Sequence, residues 1–237
     1  MTDFEPKIEK FASAAESALG ANLASLVLYG SAARAQHIEG RSDLNLMILV
    51  KDASTGALRP AAGFLGDWLR SGNSPPLLFS EAEWRASADV FPLEIEDMRD
   101  AHRVLRGRDP LDGMVTDRAS LRQQLEREVR GKLLHLRTEY AAIAKDPAAL
   151  SRLLENSLST FLVFFRATLR LKGMTPPGDS LELIRETCKA TGVPALPFEW
   201  ALAARMNRAP NALRDFDPLA GQYVDAVERL AHVVNSL

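Results

Sequence analysis

The chain has 237 residues, a formal net charge of -2 and a single cysteine. Because the charge is nearly balanced, the whole chain has no net electrostatic attraction to nucleic acid or to an anionic membrane. One cysteine excludes an internal disulfide framework and Cys-rich metal sites, and we expect Cys188 to be a buried apolar residue on a helix. Neither a signal-peptide pattern nor a membrane-length apolar run is present, so the sequence predicts a cytoplasmic protein.

The first part of the chain alternates helical and extended patterns. Helical segments have apolar residues at three- and four-residue spacing, whereas the strands are short apolar runs or alternate in polarity. The predicted elements are helices over 5–19, 31–38 and 56–69, and strands over 23–29, 43–50, 77–79, 90–98 and 101–107. Ser80 and Glu83 have the spacing of a helix capping box. This alternation predicts an α/β domain over residues 1–108.

The pattern changes after a stretch that contains Gly107, Pro110 and Gly113, which is typical of a linker. Beyond it nearly every segment has helical periodicity. The predicted helices span 118–144, 147–172, 180–190, 197–207 and 217–235. The second of these is apolar almost all round, so it is expected to be the central helix of an all-α bundle over residues 109–237.

Polar residues interrupt the apolar pattern at two neighbouring places. Gly30 and Ser31 directly follow the strand over 23–29, and Asp43 and Asn45 lie on one face of the next strand. Glycine lets a backbone approach phosphate oxygens closely, and a serine hydroxyl beside free N–H groups can bind them. Two acidic side chains at the spacing of Asp43 and Asn45 would bind a pair of divalent cations, but the second is an amide.

This arrangement resembles the nucleotidyltransferase superfamily of DNA polymerase β type. The matching residues are Tyr29-Gly30-Ser31 and Asp43-Leu44-Asn45-Leu46, within a region of about residues 23 to 106. A head of this type followed by a helical tail is similar to aminoglycoside nucleotidyltransferases. The resemblance implies an α+β fold, in which a small mixed-sheet nucleotidyltransferase domain precedes an all-α helical bundle.

The resemblance also implies a reaction and a set of site residues. A nucleoside monophosphate would pass from an NTP to a hydroxyl of an acceptor, with Mg²⁺ as cofactor. Gly30, Ser31, Arg34 and Arg41 would bind the nucleotide. The metal ligands would be Asp43 and, as a weakened second ligand, Asn45. A third carboxylate on a later strand would be the base, for which Glu94 is preferred to Glu96 because its flanking residues are apolar.

Several alternatives stay open at this stage. Asn45 is compatible with an impaired enzyme, with compensation by Glu94 or Glu96, or with a nucleotide-binding or protein-interaction module that transfers nothing. No motif in the sequence identifies the acceptor, a small molecule or a protein. The base preference and the oligomeric state have no motif either. A nucleic-acid partner is not expected, because no aromatic residues interleave the basic ones. Arg130 and His135 resemble the Arg-x4–6-His signature of HEPN ribonucleases, for which chance is the better account.

Overall fold

The computed structural model describes residues 4–38, 43–209 and 211–237. The chain divides into two compact units, Met1–Thr116 and Asp117–Leu237. The division falls beyond the predicted boundary at 108, because the segment over 109–116 packs on the first unit. Leu111 and Met114 lie in a core cluster of that unit, and the indole of Trp84 donates a 2.9 Å hydrogen bond to the carbonyl of Pro110.

The first unit is built on a four-stranded mixed sheet. Its strands are Leu23–Tyr29 (β1), Asn45–Val50 (β2), Leu77–Ser80 (β3) and His102–Gly107 (β4). They lie in the order β3-β2-β1-β4, with β1 antiparallel to both β2 and β4 and with β2 parallel to β3. Together with the helical second unit, this sheet confirms the predicted α+β fold class.

Among residues 4–38 and 43–116, five α-helices accompany the sheet. They are Glu5–Leu19 (α1), Thr55–Leu58 (α2), Ala62–Arg70 (α3), Glu81–Ala86 (α4) and Pro92–Asp100 (α5). The helix predicted over 56–69 is interrupted by a 3₁₀ turn at Arg59–Ala61, where Pro60 has no N–H to donate. The predicted capping box is present: Ser80 accepts from the Glu83 N–H, and the Glu83 carboxylate accepts from the Ser80 N–H.

Each face of the sheet covers its own core, because neighbouring side chains of a strand point to opposite sides. Leu46 and Ile48 of β2 pack against α1 and α3. Met47 and Leu49 of β2 pack on the other side with Trp84 of α4 and with residues of α5. Asn45, two residues before Met47, therefore belongs to the face that carries α4 and α5.

The strand predicted over 90–98 is wrong, since residues Pro92–Asp100 form α5. Leu93 and Ile95 fit the two-residue period of a strand, but Ile95 and Met98 also fit one buried helix face. Pro92 occupies the first turn, where its missing N–H costs nothing and its fixed φ suits a helix. The proline was the sequence signal for a helix start.

The described part of the second unit, residues 117–209 and 211–237, contains five α-helices. They are Arg118–Ile143 (α6), Pro147–Leu171 (α7), Ser180–Thr191 (α8), Leu196–Arg205 (α9) and Pro218–Asn235 (α10). An aspartate side chain caps the N-terminus of four of them by accepting backbone N–H groups. These caps are Asp117, Asp146, Asp179 and Asp217.

Helix α7 is the centre of this unit, as its composition predicts. It contacts α6, α8, α9 and α10. Phe161 and Phe165 are fully buried and lie against Phe198 of α9, and Phe161 also packs on Tyr223 of α10. Burying an aromatic side chain of this size contributes about 1.5–3 kcal/mol, so this cluster is a main source of the unit's stability.

The charged face of α6 contains ion pairs between residues one helical turn apart. Glu126 pairs with Arg122 and with Arg130, each at 3.0 Å. Arg130, one of the two residues of the HEPN-like spacing, is therefore engaged by a neighbour one turn away.

Across the described ranges, no helix combines the length and the apolar composition needed to cross a membrane.

Gly107, at the end of β4, gives a test of the sheet. It has φ of +77°, and a Cβ there would lie 2.1 Å from the backbone oxygen of Ala24 in β1. We expect Gly107→Ala to destabilise the first unit by about 3 kcal/mol or more, because left-handed strain and a backbone clash add. Native-state hydrogen exchange of β1 and β4 amides in urea measures this loss.

Gly113→Ala is the matched control for this substitution. Gly113 has φ of +75° but nothing within 4 Å of a Cβ, so only the strain of about 1–2 kcal/mol should appear. Equal losses for the two substitutions would contradict the clash between β1 and β4.

Cys188 is buried on α8, as the sequence predicts. Burial, assisted by the nearby charge of Glu199, raises the pKa of its thiol to about 12. Since the thiolate is the reactive species, roughly one thiol in ten thousand is ionised at pH 8. We expect a thiol reagent to label native protein at pH 8 orders of magnitude more slowly than protein in denaturant, as followed by mass spectrometry. Equal labelling rates would contradict a closed core around α8.

Candidate functional site

The turn after β1 is a single helical turn rather than the short helix predicted from Ser31. The N–H of Arg34 donates to the Gly30 carbonyl at 3.2 Å, and Gln36 then donates to Ser31 at 2.9 Å. Ala35 donates to Ala32 at 3.3 Å and has φ of +57°. These bonds and the left-handed residue form a Schellman motif, which ends the helix after one turn.

Both backbone conformation and space require a glycine at position 30. Its φ is +77°, and a Cβ there would lie 2.8 Å from Nδ2 of Asn45. Asn45 is brought there by strand register, because it is the partner of Tyr29 across the β1–β2 pair. The structure therefore brings together two of the sequence-predicted site residues, Gly30 and Asn45, and Ser31 adjoins them in the turn.

Asp43 lies two residues before Asn45, just ahead of β2, and its side chain is exposed. The charge of the Asp43 carboxylate acts on the imidazole of His37. Burial and the nearby Lys7 lower the pKa of the His37 imidazole, and the Asp43 carboxylate partly opposes them. A solvent-accessible carboxylate beside β2 is placed where it can contact a ligand without a large desolvation cost.

Glu94 reaches this region from helix α5 rather than from a strand. The pKa of the Tyr29 phenol is raised chiefly by burial, and then by the charges of Glu94 and Asp97. Glu94 and Asp97 are three residues apart on α5, so they share one face of the helix. That face lies beside Tyr29, the residue that precedes Gly30.

Glu96, the other candidate for the third carboxylate, points elsewhere. Its carboxylate accepts a 2.6 Å hydrogen bond from the Thr116 hydroxyl and pairs with Arg99 at 3.1 Å. Arg99 also donates to the carbonyl of Met114. Glu96 therefore helps to fix the segment over 114–116 to α5, which leaves Glu94 as the preferred candidate.

Arg34 is engaged within the protein. Its Nη2 donates to Oδ1 of Asp97 and to the backbone oxygen of Asp97, both at 2.7 Å. The side chains of Arg34 and Asp97 are only 8% and 9% exposed. Its predicted contact with phosphate stays a prediction, and the same contact predicted for Arg41 falls outside the described residues.

A third carboxylate on a later strand, as the resemblance implies, is missing. Neither β3, with the sequence LLFS, nor β4, with the sequence HRVLRG, contains an acid. Within residues 4–38, 43–209 and 211–237, no three His, Cys, Asp or Glu side chains form a group that could hold a metal ion. Asn45 is thus the polar side chain that lies against Gly30, Asp43 precedes it by two residues, and the charge of Glu94 acts on Tyr29 from α5.

Sequence reasoning missed Asp97 and the part that Tyr29 plays. Asp97 follows Glu94 by three residues, but this helical spacing carries meaning only if the segment is a helix. The sequence motif includes Tyr29 as the hydrophobic residue before Gly30-Ser31, with no further role. Its central place follows from register, since it pairs with Asn45 on one side and with His102 on the other.

Comparison with known proteins supports this fold. The chain is similar to the spectinomycin adenyltransferase AAD(9) from Enterococcus faecialis, whose structure contains ATP and spectinomycin. The TM-score is 0.59 at 12% sequence identity, and the match covers 95% of this chain and 98% of that chain. No protein-family model and no curated protein sequence matches the chain. At this identity the likeness shows that the chain has a nucleotidyltransferase-like fold.

The contact between Gly30 and Asn45 gives a test of the site's geometry. We expect Gly30→Ala to displace the Asn45 amide and to lower the free energy of unfolding of the first unit by about 1–2 kcal/mol beyond the strain at a positive φ. Unfolding in urea measures this loss. Gly72→Ala is the matched control, because Gly72 has φ of +78° with open space around a Cβ.

The double variant Gly30→Ala/Asn45→Ser separates the clash from the strain. Serine shortens the side chain at position 45, so the clash part of the loss should be recovered. If Gly72→Ala lowered the free energy of unfolding as much as Gly30→Ala, the close approach at Gly30 would not be the cause.

Proposed function

We propose that this chain transfers a nucleoside monophosphate from a nucleoside triphosphate to a hydroxyl of a small molecule, slowly and with Mg²⁺. The observation that supports this most directly is the contact of the Gly30 turn with Asn45 in a nucleotidyltransferase-like fold. A structural neighbour solved with ATP and spectinomycin supports ATP as the donor and a small molecule as the acceptor.

The turn over 30–36 is the proposed phosphate-binding element. Gly30 lets the triphosphate approach the backbone, and the Ser31 hydroxyl donates to a phosphate oxygen. The first N–H groups of a helical turn have no partner within the helix, so the N–H groups of residues 31–33 would also donate to phosphate oxygens. The Schellman closure at Ala35 holds this turn in shape without a ligand.

The donor set fits one Mg²⁺ ion. Asp43 supplies a carboxylate and Asn45 an amide oxygen, and Mg²⁺ typically uses one or two carboxylates together with phosphate oxygens. When bound, the ion would neutralise phosphate charge and polarise the α-phosphate. A second ion has fewer ligands here, since position 45 is uncharged and the later strands carry no acid.

Glu94 is the proposed general base. The acceptor oxygen attacks the α-phosphorus, the bond from that phosphorus to pyrophosphate breaks, and the hydroxyl proton passes to the Glu94 carboxylate. Its place beside Tyr29, at the start of the phosphate turn, supports this assignment. Tyr29 itself stays neutral at physiological pH, because burial and the two carboxylates raise the pKa of its phenol.

Electrostatics gives the approximate interaction energy that is lost because position 45 is an amide rather than an acid. At an effective dielectric near 20, two unit charges 4 Å apart interact by ~4 kcal/mol, and a doubly charged ion doubles this. Desolvation offsets much of that gain, so a net loss of a few kcal/mol is expected. Each 1.36 kcal/mol lost at the transition state is tenfold in rate, which predicts a rate lower by some hundreds-fold.

A second candidate function is nucleotide binding without transfer, in a sensor or interaction module. It is favoured by the acid-free strands β3 and β4 and by the lack of a three-ligand metal group among the described residues. In this case the turn and Asp43 would hold Mg-NTP, and no base would be needed.

Asn45→Asp distinguishes the two candidates. For an impaired enzyme we expect tighter Mg²⁺ binding and a transfer rate raised by about a hundredfold, because the restored charge acts on the ion. Transfer from radiolabelled NTPs to pools of small molecules, proteins and RNA measures the rate. Asn156→Asp is the control: it makes the same chemical change at an exposed position of the second unit and should change nothing.

Two further results are informative: the first would favour one of the candidate functions, and the second would contradict both. Unchanged Mg²⁺ affinity and rate in Asn45→Asp, with ATP binding intact, would favour the binding module. Absence of binding at millimolar ATP, or binding that Asp43→Ala leaves untouched, would contradict both.

A further inference from the structure

The ion pair between Arg34 and Asp97 connects two parts of the site that are far apart in sequence. Arg34 ends the helical turn that starts at Gly30, and Asp97 lies 63 residues later on α5. One nitrogen of the guanidinium donates both to the carboxylate and to the backbone oxygen of Asp97. Contact with side chain and main chain together fixes the turn to the helix itself, and not only to a mobile side chain.

Burial makes this connection rigid. Both side chains are less than a tenth exposed, so separating the pair would leave a charge in a poorly solvated place. Exposed ion pairs elsewhere in the unit are a different case, because water competes for their partners. Arg106, for example, pairs with Glu9 and Glu16, whose side chains are about 60% exposed.

Helix α5 is also held from its other sides. Ile95 and Met98 enter the core cluster under the sheet, and Glu96 is bound by Thr116 and Arg99. These contacts hold the buried face of α5 and the carboxylate of Glu96. The face that carries Glu94 and Asp97 is held to the turn over 30–36 by Arg34, and Glu94 lies about one helical turn before the residue that Arg34 binds.

We propose that Arg34 and Asp97 are positioning residues, whose ion pair holds the Glu94 carboxylate in register with the Gly30 turn. The proposal deepens the proposed function and rests on it for the role of Glu94 as base. The turn is closed by its own hydrogen bonds, so loss of the pair changes where Glu94 stands and leaves the turn's shape. Positioning of this kind affects the chemical step more than nucleotide binding.

The test measures the position of Glu94 without using activity. Tyr29→3-fluorotyrosine places one fluorine beside Glu94, and its ¹⁹F resonance responds to that charge. We expect Glu94→Gln to shift the resonance in the otherwise wild-type protein. In Asp97→Asn and in Arg34→Met we expect the same Glu94→Gln change to give less than about half of that shift. Arg34→Lys, which keeps the charge, should recover part of it.

Arg106→Gln is the matched control for breaking an ion pair. Arg106 is paired in register with Leu26, whereas His102, at the other end of β4, is paired with Tyr29. The effect of Glu94→Gln should keep its full size in this background. Near-UV circular dichroism checks that each variant is folded, and Asp97→Asn, which retains an acceptor for the guanidinium, decides the matter if Arg34→Met does not fold.

A shift of equal size in the wild type, Asp97→Asn and Arg34→Met would overturn the proposal. The kinetic counterpart is a kcat lowered by about tenfold or more in Asp97→Asn with KM for the NTP nearly unchanged. A stability defect alone would lower the active fraction and leave the response to Glu94→Gln intact. Because the resonance reports position even if no transfer occurs, failure of this proposal and failure of the proposed function can be told apart.

Discussion

The close approach of the Asn45 amide to the Gly30 backbone is the constraint on which the candidate site depends. Strand register places Asn45 beside Tyr29, and the missing Cβ of Gly30 leaves space for the amide group. Asparagine and aspartate have nearly the same shape, so the space at position 45 suits either. The site therefore retains the packing that an acid would need, while the charge is absent.

The sheet determines from which direction acids can approach. Asn45 and Tyr29 lie on the face that α4 and α5 cover, and the strands next to β1 and β2 supply no carboxylate. The acidic side chains whose charges act on Tyr29 come from α5, where Glu94 and Asp97 share one helix face. Asp97 is neutralised by Arg34, which leaves Glu94 as the carboxylate of this face that lies beside the phosphate turn.

Local pattern predicted most of the scaffold, and long-range geometry explains the rest. The apolar periods gave α1, β1, β4 and the helices of the second unit, because burial of one face determines both period and position. The prediction for the segment over 90–98 failed because Ile95 fits both periods, with Leu93 as in a strand and with Met98 as in a helix, so that Pro92 was the deciding signal. The pair of Arg34 and Asp97 joins residues 63 positions apart, and no local pattern encodes such a contact.

For the proposed reaction, an amide rather than an acid at position 45 would affect binding and catalysis in opposite directions. Mg-NTP remains anionic, so a neutral Asn45 beside Asp43 repels the triphosphate less than a second carboxylate would. The transition state needs the metal held firmly while charge moves to the leaving pyrophosphate, and there the missing charge is felt most. In the proposed function, a turn closed by its own hydrogen bonds and a metal held by one carboxylate would retain a nucleotide more readily than they would react with it. The two candidate functions, slow transfer and nucleotide binding without transfer, are thus two points along one electrostatic scale, and we expect the charge at position 45 to move the protein between them.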